Sequence, residues 1–310
     1  VFLAAHDAEL TRLRDELRTA RRARSAIVAT IREIVTMRDD VPVPRIAYRL
    51  ERGNYERRTE AVGPDAPASL QAWPEPAPRN RFGLAQWLLD PRHPLTARVA
   101  VNRIWQMHFG RGLVPTSEDF GTQGQRPAHP ELLDWLARRF VDSGWDQKAL
   151  HRLIVTSSTW RQDSRCDEAL RRDDPDNEFL ARGPSFRLPA ESIRDAALSA
   201  SGLLVREVGG PSVKPYQPAG LWEEKSGASY QEDAGKGLWR RSLYTYVKRT
   251  SPPPAMTTFD AGPREVCSVR RMRTSNPLQA LLLMNDPQQV EAARALAQRT
   301  LCETVDDGAR

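Results

Sequence analysis

A short stretch near the end of the chain, residues 259–277, concentrates side chains with chemical potential. It carries the carboxylates Asp260 and Glu265, the thiol Cys267 and an Asn-Pro helix start at Asn276. Its guanidinium groups belong to Arg264, Arg270, Arg271 and Arg273. Neither helical nor strand periodicity requires this combination. We therefore expect the stretch to form part of a site.

Two chemistries fit these residues. Guanidinium groups bind carboxylate, sulfate and phosphate, and the free amides of a helix N-terminus favour negative charge. The four arginines and Asn276 therefore predict an anion-binding site. A carboxylate pair at a suitable separation performs glycoside hydrolysis, which makes Asp260 and Glu265 candidate catalytic residues. The alternative is that these charges pair with one another and lock a buried loop.

The cysteines and histidines give weaker signals. The arginines around Cys267 would favour a nucleophilic thiolate, but no histidine in the stretch offers a base, so we favour a small buried filler. Cys166 and Cys302 could form a disulfide, and their spacing leaves the pairing open. Without CxxC, HxH or HExxH spacings, the sequence predicts no metal site and no cofactor in this segment.

A helix predicted over residues 96–109 supplies a second group of candidates. Its apolar face includes His108, which we interpret as a core histidine. Asn102 lies on the opposite, polar face and Arg103 at its margin, so both are candidate ligand-binding residues. Together with the arginines of residues 259–277, they would build a shared anion-binding hollow.

The long Gly-rich and Pro-rich stretch 209–237 supplies the last candidates. Loops of this length inside a compact domain are usually functional or disordered. Trp222 and Tyr230 lie within it, and we predict that they stack on a sugar ring.

The elements that must position these residues are mostly helical. Hydrophobic periodicity, helix caps and first-turn prolines predict a mainly α fold, with a multi-helix globular domain, a few short β-strands and a long N-terminal helical arm. The predicted organisation is a helical arm at 1–40, a strand and Pro-rich connector at 41–79, a helical domain at 80–304 and a tail at 305–310.

Individual elements follow from the same signals. Helices are predicted over 6–37, 82–89, 96–109, 130–143, 147–160 and 189–204, with two more that begin at 277 and 287. Strands are predicted at 45–50 and 241–247, and a loop at 163–178. The core is predicted to contain Trp105, Trp135, Trp145 and Trp160.

Composition limits the partners. The chain has 310 residues and a net charge of +6, which comes almost wholly from arginine. This suits an anionic partner, although arginine could also replace lysine through genomic base composition. No apolar run approaches the length of a membrane span. One aromatic and basic strand with Tyr244, Tyr246 and Lys248 is too little to predict nucleic-acid binding.

Several longer motifs occur together. They are Asn-Arg-Ile-Trp-Gln-Met-His-Phe-Gly-Arg-Gly-Leu-Val at 102–114, Glu-Asp-Phe-Gly at 118–121 and His-Pro-Glu-Leu-Leu-Asp-Trp-Leu at 129–136. Further matching stretches lie at 143–146, 153–157, 209–213 and 265–287. In this order they resemble the C-terminal domain of unknown function of planctomycete-type cytochrome c proteins, over roughly residues 80–300.

The resemblance implies an exported protein, periplasmic or secreted. It also implies a cytochrome c domain and a second helical domain in the same precursor, so that any haem c belongs to a separate domain or partner. The chain begins at Val1, and we expect it to be a mature or excised piece of a longer protein. Two functions remain open: an exported module that binds or acts on carbohydrate or another anionic polymer, and a non-catalytic scaffold that positions a redox partner.

Overall fold

The computed structural model describes residues 7–31, 34–37, 46–67 and 69–303 of the chain. It is mainly α, with eleven α-helices and one two-stranded sheet in these ranges. The chain divides into two compact units, Val1–Asp90 and Pro91–Arg310. Within the described ranges, no helix combines the length and apolarity that a bilayer crossing requires.

The first unit begins with helix α1 (Ala8–Thr30). The Asp7 side chain caps it by accepting hydrogen bonds from the amides of Glu9 and Leu10, and none of its residues is buried. The prediction that this helix extends to about residue 37 is wrong, because Ile31 is extended and residues 34–37 are not helical. Residues 27–31 are rich in β-branched side chains, and the last turn carries no basic residue to favour its carbonyl end.

Two strands and a helix complete this unit. Strand β1 (Ala47–Leu50) pairs antiparallel with β2 (Arg58–Val62), with Tyr48 opposite Ala61. The predicted strand is thus confirmed at Ala47–Leu50, whereas residues 41–45 lie outside the described residues. Strand β2 was not predicted. Helix α2 (Arg81–Leu89) was predicted, and the Asn80 side chain caps it by accepting from the Gly83 amide.

Three helices build the first core cluster of the second unit. Helix α3 (Thr96–Phe109) packs against α4 (Pro130–Asp142) and α5 (Gln147–Thr156). Their buried side chains include Val101, Trp105, Leu133, Leu136, Phe140, Leu150 and Ile154. The predicted punctuation is confirmed: Pro130 occupies the first turn of α4, and Asp146 caps α5 by accepting from the Ala149 amide.

Four later helices form the second core cluster. Helix α7 (Ala190–Ser201) packs against α9 (Pro254–Thr258) and α11 (Pro287–Glu303), and α10 (Pro277–Asn285) contacts α9 and α11. Buried Ala190, Met256 and Phe259 form its centre. As predicted, α10 and α11 each begin with a proline after a polar residue.

Four predictions in the second unit are wrong in detail. The helix predicted over 147–160 ends at Thr156, so Trp160 lies beyond it. The predicted loop at 163–178 contains the short helix α6 (Glu168–Asp173), and α8 (Leu221–Ser226) interrupts the stretch 209–237. Helix α7 ends at Ser201, where Gly202 adopts a left-handed conformation, and does not reach 204.

The predicted strand at 241–247 is also wrong. Its middle forms a 3₁₀ turn, Ser242–Tyr244. The flanking residues make only isolated bridges, Val205 with Arg240 and Val213 with Thr245. The alternation of apolar and polar residues suited a strand, but among the described residues no extended neighbour runs beside it to complete a sheet.

Two side-chain predictions need correction as well. Trp105 is buried and Trp145 and Trp160 are partly buried, but Trp135 is 54% exposed and lies outside the core. Cys267 is exposed and is not a buried filler. All three cysteines are free, so the alternative of a disulfide between Cys166 and Cys302 is not realised.

Candidate functional site

A cavity of about 1050 Å³ opens between the two core clusters of the second unit. Trp160 and three segments line it. The segments are the second half of α3, residues 186–192 before and into α7, and residues 259–273. We call this cavity the arginine cleft, because its lining includes Arg103, Arg187, Arg270, Arg271 and Arg273. The arginine-rich segment and the helix that carries Arg103 thus line one hollow.

Positive charge exceeds negative charge in the cleft. Its two carboxylates are Glu191 and Asp260, against five guanidinium groups. Arg271 pairs with Glu191 at 2.7 Å, and Arg187 pairs with Asp260. Outside the lining, Arg264 also pairs with Glu191, at 3.6 Å. In each of these pairs one partner lies outside residues 259–277, so the charges of that stretch are partly neutralised but do not pair with one another as the alternative proposed.

Two arginines of the cleft have no carboxylate partner among the described residues. Arg103 is exposed and makes no hydrogen bond or ion pair with any of them. Arg273 donates to the Gly110 carbonyl at 3.2 Å, and its guanidinium lies 4.3 Å from the centroid of the Phe186 ring. Burial and the positive charge of Arg187 lower the pKa of Arg273. An anion bound between these groups would relieve that repulsion.

Gly110 makes this arrangement sterically feasible. It ends α3 with a φ of 82°, a conformation that side chains with a Cβ rarely adopt. A Cβ at this position would lie 2.8 Å from the Phe186 ring and 3.1 Å from Arg273 Nη1. The last turn of α3 therefore approaches the stacked pair of Arg273 and Phe186 closely because residue 110 is glycine.

Asp260 holds the arginine-rich segment in place. Its carboxylate accepts from the Thr274 amide at 2.8 Å and from Thr274 Oγ1 at 2.9 Å, besides its pair with Arg187. The hydrogen bond from the Thr274 amide is the main cause of the lowered pKa of Asp260. The hydrogen bond from the Thr274 hydroxyl and the charge of Arg187 lower this pKa further. Asp260 is therefore an ionised anchor between residues 259–273 and Arg187.

Glu191 is ionised as well. Burial alone would raise its pKa, but the hydrogen bond from Arg271 and the charges of Arg271 and Arg264 outweigh burial and lower the pKa. Glu265, the proposed catalytic partner of Asp260, is exposed and does not line the cleft. The cleft thus contains Asp260 without Glu265, and both of its own carboxylates are engaged by arginines.

Asn102 is buried, whereas its position on the polar face of the helix predicted an exposed side chain. It is fully buried, at 0% exposure, although it lies on the face of α3 that carries Arg98 and Gln106. Its Oδ1 accepts from the Val114 amide at 2.8 Å, and its Nδ2 donates to the Val114 carbonyl at 3.0 Å and to Ser117 Oγ at 3.2 Å. It fixes the turn after α3 and does not line the cleft. A Cβ at Gly112 would lie 2.6 Å from Nδ2, so this glycine makes room for the amide.

The remaining candidates lie outside the cleft. Asn276 caps α10, where its Oδ1 accepts from the Gln279 amide at 3.2 Å. Trp222 is 7% exposed and packs edge-on against Tyr230, with ring centroids 5.0 Å apart. Burial, followed by the charges of Asp233 and Glu232, raises the pKa of Tyr230 to about 12. The indole of Trp222 offers little open surface for a sugar to stack on.

Three ionisable lining residues were not identified from the sequence as site residues. Arg187 and Glu191 come from a segment without a recognisable motif, and its only signal was the Pro189 helix start. His108 lines the cleft and lies on the predicted apolar stripe, and its Nε2 is 2.7 Å from His151 Nδ1. Burial and the neighbouring His151 lower the pKa of His108.

This histidine pair predicts a pH dependence of stability. The unfolded chain binds a proton at the ordinary histidine pKa of 6.5, whereas folded His108 resists it, so the free energy of unfolding should fall as the pH drops below that value. Urea unfolding at a series of pH values down to about 5, above the carboxylate range, measures this dependence. We expect His108→Gln to flatten the profile and the control His129→Gln to preserve it. A profile unchanged by His108→Gln would contradict the assignment.

No group of three or more His, Cys, Asp or Glu side chains suited to a metal ion occurs among the residues that the structure describes.

Comparison with known proteins adds one finding. Residues 80–309 match the family model PSD1, "Protein of unknown function (DUF1553)". No curated protein and no solved structure matches the chain significantly. Because the match covers well over half of the sequence, the chain belongs to the PSD1 family of proteins of unknown function.

Proposed function

We propose that this domain binds an anionic ligand in the arginine cleft, and that the ligand is an acidic carbohydrate or a similar polymer. The single observation that carries the proposal is the pair Arg103 and Arg273. Both line a large open cavity, and neither has a carboxylate partner among the described residues. Guanidinium groups in such a position suit sulfate and carboxylate groups.

Binding is better supported than glycoside hydrolysis. A glycosidase needs one carboxyl group that stays protonated to act as the general acid, which requires a raised pKa. In the cleft, the pKa values of Asp260 and Glu191 are both lowered, and arginines occupy both carboxylates. These groups therefore orient the arginines, and the arginines contact the ligand.

The wider setting of the proposal follows from the sequence resemblance. We propose that the domain is an exported module, periplasmic or secreted, of a protein that carries haem c in a separate domain or partner. In that setting α1 would act as a docking arm, since none of its residues is buried.

The second candidate function is a non-catalytic scaffold that positions a redox partner. Helix α10 favours it, because Leu278, Leu281 and Met284 are all exposed on this one short helix. An apolar patch of this kind is more typical of a contact surface than scattered single residues are.

A thermal-shift panel tests the main proposal. A ligand that binds only the folded state stabilises it by about 2.7 kcal/mol at a hundredfold excess over Kd. We expect sulfated oligosaccharides to raise the melting temperature and neutral ones of equal length to leave it unchanged. Added salt should reduce the shift, because the contacts are partly exposed to solvent.

Matched variants locate the effect. Arg103→Ala should lose most of the shift. Arg139→Ala removes the same charge from an exposed position on α4 and should keep the shift. No shift with any sulfated oligosaccharide, or equal shifts with neutral ones, would overturn the proposal and leave the scaffold function as the better account.

A further inference from the structure

A second cavity, of about 390 Å³, adjoins the arginine cleft. The two cavities share Gln106, Gly110 and Arg270 as lining residues, so they lie side by side, and we call the two together the groove. The arginine cleft alone reaches the upper end of the volume of pockets for drug-sized ligands, about 300–1,000 Å³. The groove as a whole therefore has room for a longer molecule.

The second cavity differs from the arginine cleft in charge. Its two guanidinium groups are paired, Arg111 with Asp176 at 2.8 Å and Arg270 with Glu118 at 3.6 Å. Its other polar side chains are the amides Gln106 and Gln125 and a hydroxyl, Thr116. This part of the groove suits neutral hydrogen-bonding groups, whereas the neighbouring cleft suits an anion.

Hydrogen bonds fix the orientation of Gln106 at the junction. The Val114 amide donates to Asn102 Oδ1, so Asn102 Nδ2 must be the donor to Ser117 Oγ. Ser117 then directs its own proton to Gln106 Oε1, at 2.6 Å. The amide Nε2 of Gln106 makes no hydrogen bond with the described residues and is left as a donor toward the groove.

Gln125 presents a second unused amide. Its backbone amide donates to Thr116 Oγ1 at 2.9 Å, which fixes its backbone beside the cavity. Its side chain is exposed and makes no hydrogen bond with the part of the chain that the structure describes. Gln106 and Gln125 together offer amide donors and acceptors of the kind that sugar hydroxyl groups bind.

We propose that the ligand is an oligosaccharide that spans both cavities, with an acidic group in the arginine cleft and a hydroxyl-bearing unit against Gln106 and Gln125. This inference rests on the proposed function and narrows it. The expected ligand is a chain in which acidic and neutral groups alternate. A small free anion such as inorganic sulfate would fill only the arginine cleft.

Calorimetric titration with sulfated disaccharides, tetrasaccharides and hexasaccharides tests the inference. Two added hydrogen bonds at about 1 kcal/mol each make the longer chains bind at least about tenfold more tightly than the disaccharide. A longer chain also carries more charge, so the deciding comparison is Gln125→Ala. This variant removes one of the two hydrogen bonds, so it should lose about fivefold of the gain with length and keep the disaccharide affinity. Gln123→Ala, an exposed neighbour that does not line the groove, should match the wild type.

The outcomes separate the two proposals. If all lengths bind equally, or if Gln125→Ala keeps the full gain, the inference is wrong, but the anion site stands. If the disaccharide binds and Arg103→Ala leaves its affinity unchanged, the cleft is not the anion site and both proposals fall. Absence of binding at every length also overturns both.

Discussion

Replacement of Arg194 by alanine is expected to lower the free energy of unfolding by about 3–5 kcal/mol, because several buried or partly buried acceptors lose a donor at about 1 kcal/mol or more each. Arg194 is 7% exposed on α7. Its guanidinium donates to the carbonyls of Leu238 and Arg240, each at 2.7 Å, and to Gln288 Oε1 at 2.6 Å. It thereby ties α7 to residues 238–242 and to α11.

Burial lowers the pKa of Arg194 in spite of the nearby Asp195. The lowered pKa means that burial of the charged Arg194 guanidinium costs desolvation free energy. Only arginine presents donors in several directions from one planar group, so Arg194→Lys should recover little of the lost stability.

Urea unfolding of Arg194→Ala, Arg194→Lys and the wild type measures the effect. Arg206→Ala is the control, since Arg206 is exposed and should change the free energy of unfolding by less than about 0.5 kcal/mol. If Arg194→Ala unfolds within about 1 kcal/mol of the wild type, the carbonyls of residues 238–240 find other donors, and the structural role of Arg194 is refuted.

The second large effect is a difference in stability between alanine variants of two adjacent residues of α3, Asn102 and Arg103. Asn102→Ala leaves the amide and the carbonyl of Val114 without partners, at about 1–3 kcal/mol for each buried group. We expect a loss of at least about 2 kcal/mol of unfolding free energy. Arg103→Ala, at an exposed position without a partner among the described residues, should leave stability unchanged.

The ligand response should show the opposite order. Arg103→Ala should abolish most of the thermal shift with a sulfated oligosaccharide. Asn102→Ala, tested below its own melting transition, should weaken binding only through Ser117 and Gln106. Equal stability losses in the two variants, or an unaltered response of Arg103→Ala, would contradict this division of roles.

Much of the helical architecture could be predicted because its signals are local. Pro130 and Asp146 mark helix starts through the unpaired amides of the first turn, and the structure has helices that begin there. The segment 241–247 could not be predicted in this way, because its alternation reflects burial against residues 205–213 and not a sheet. The end of α1 has a local cause, since its last residues are rich in β-branched side chains and its last turn carries no basic residue.

The site was predictable in part. The density of arginine in residues 259–273 correctly indicated one wall of the cleft. Arg103 indicated a second wall. The third wall, residues 186–192, has no motif, so Arg187 and Glu191 emerged only from the structure. The prediction for Asn102 was wrong because a polar residue on the polar face of a helix is normally exposed. Here the Asn102 side chain is buried and forms hydrogen bonds with the backbone amide and carbonyl of Val114.

The most direct measurement of the central claim is a crystal structure of the protein with a sulfated oligosaccharide bound. We expect a sulfate group within hydrogen-bonding distance, about 3 Å, of the guanidinium groups of both Arg103 and Arg273. A sulfate group bound elsewhere on the protein, with the cleft open to solvent in a saturated crystal, would contradict that claim.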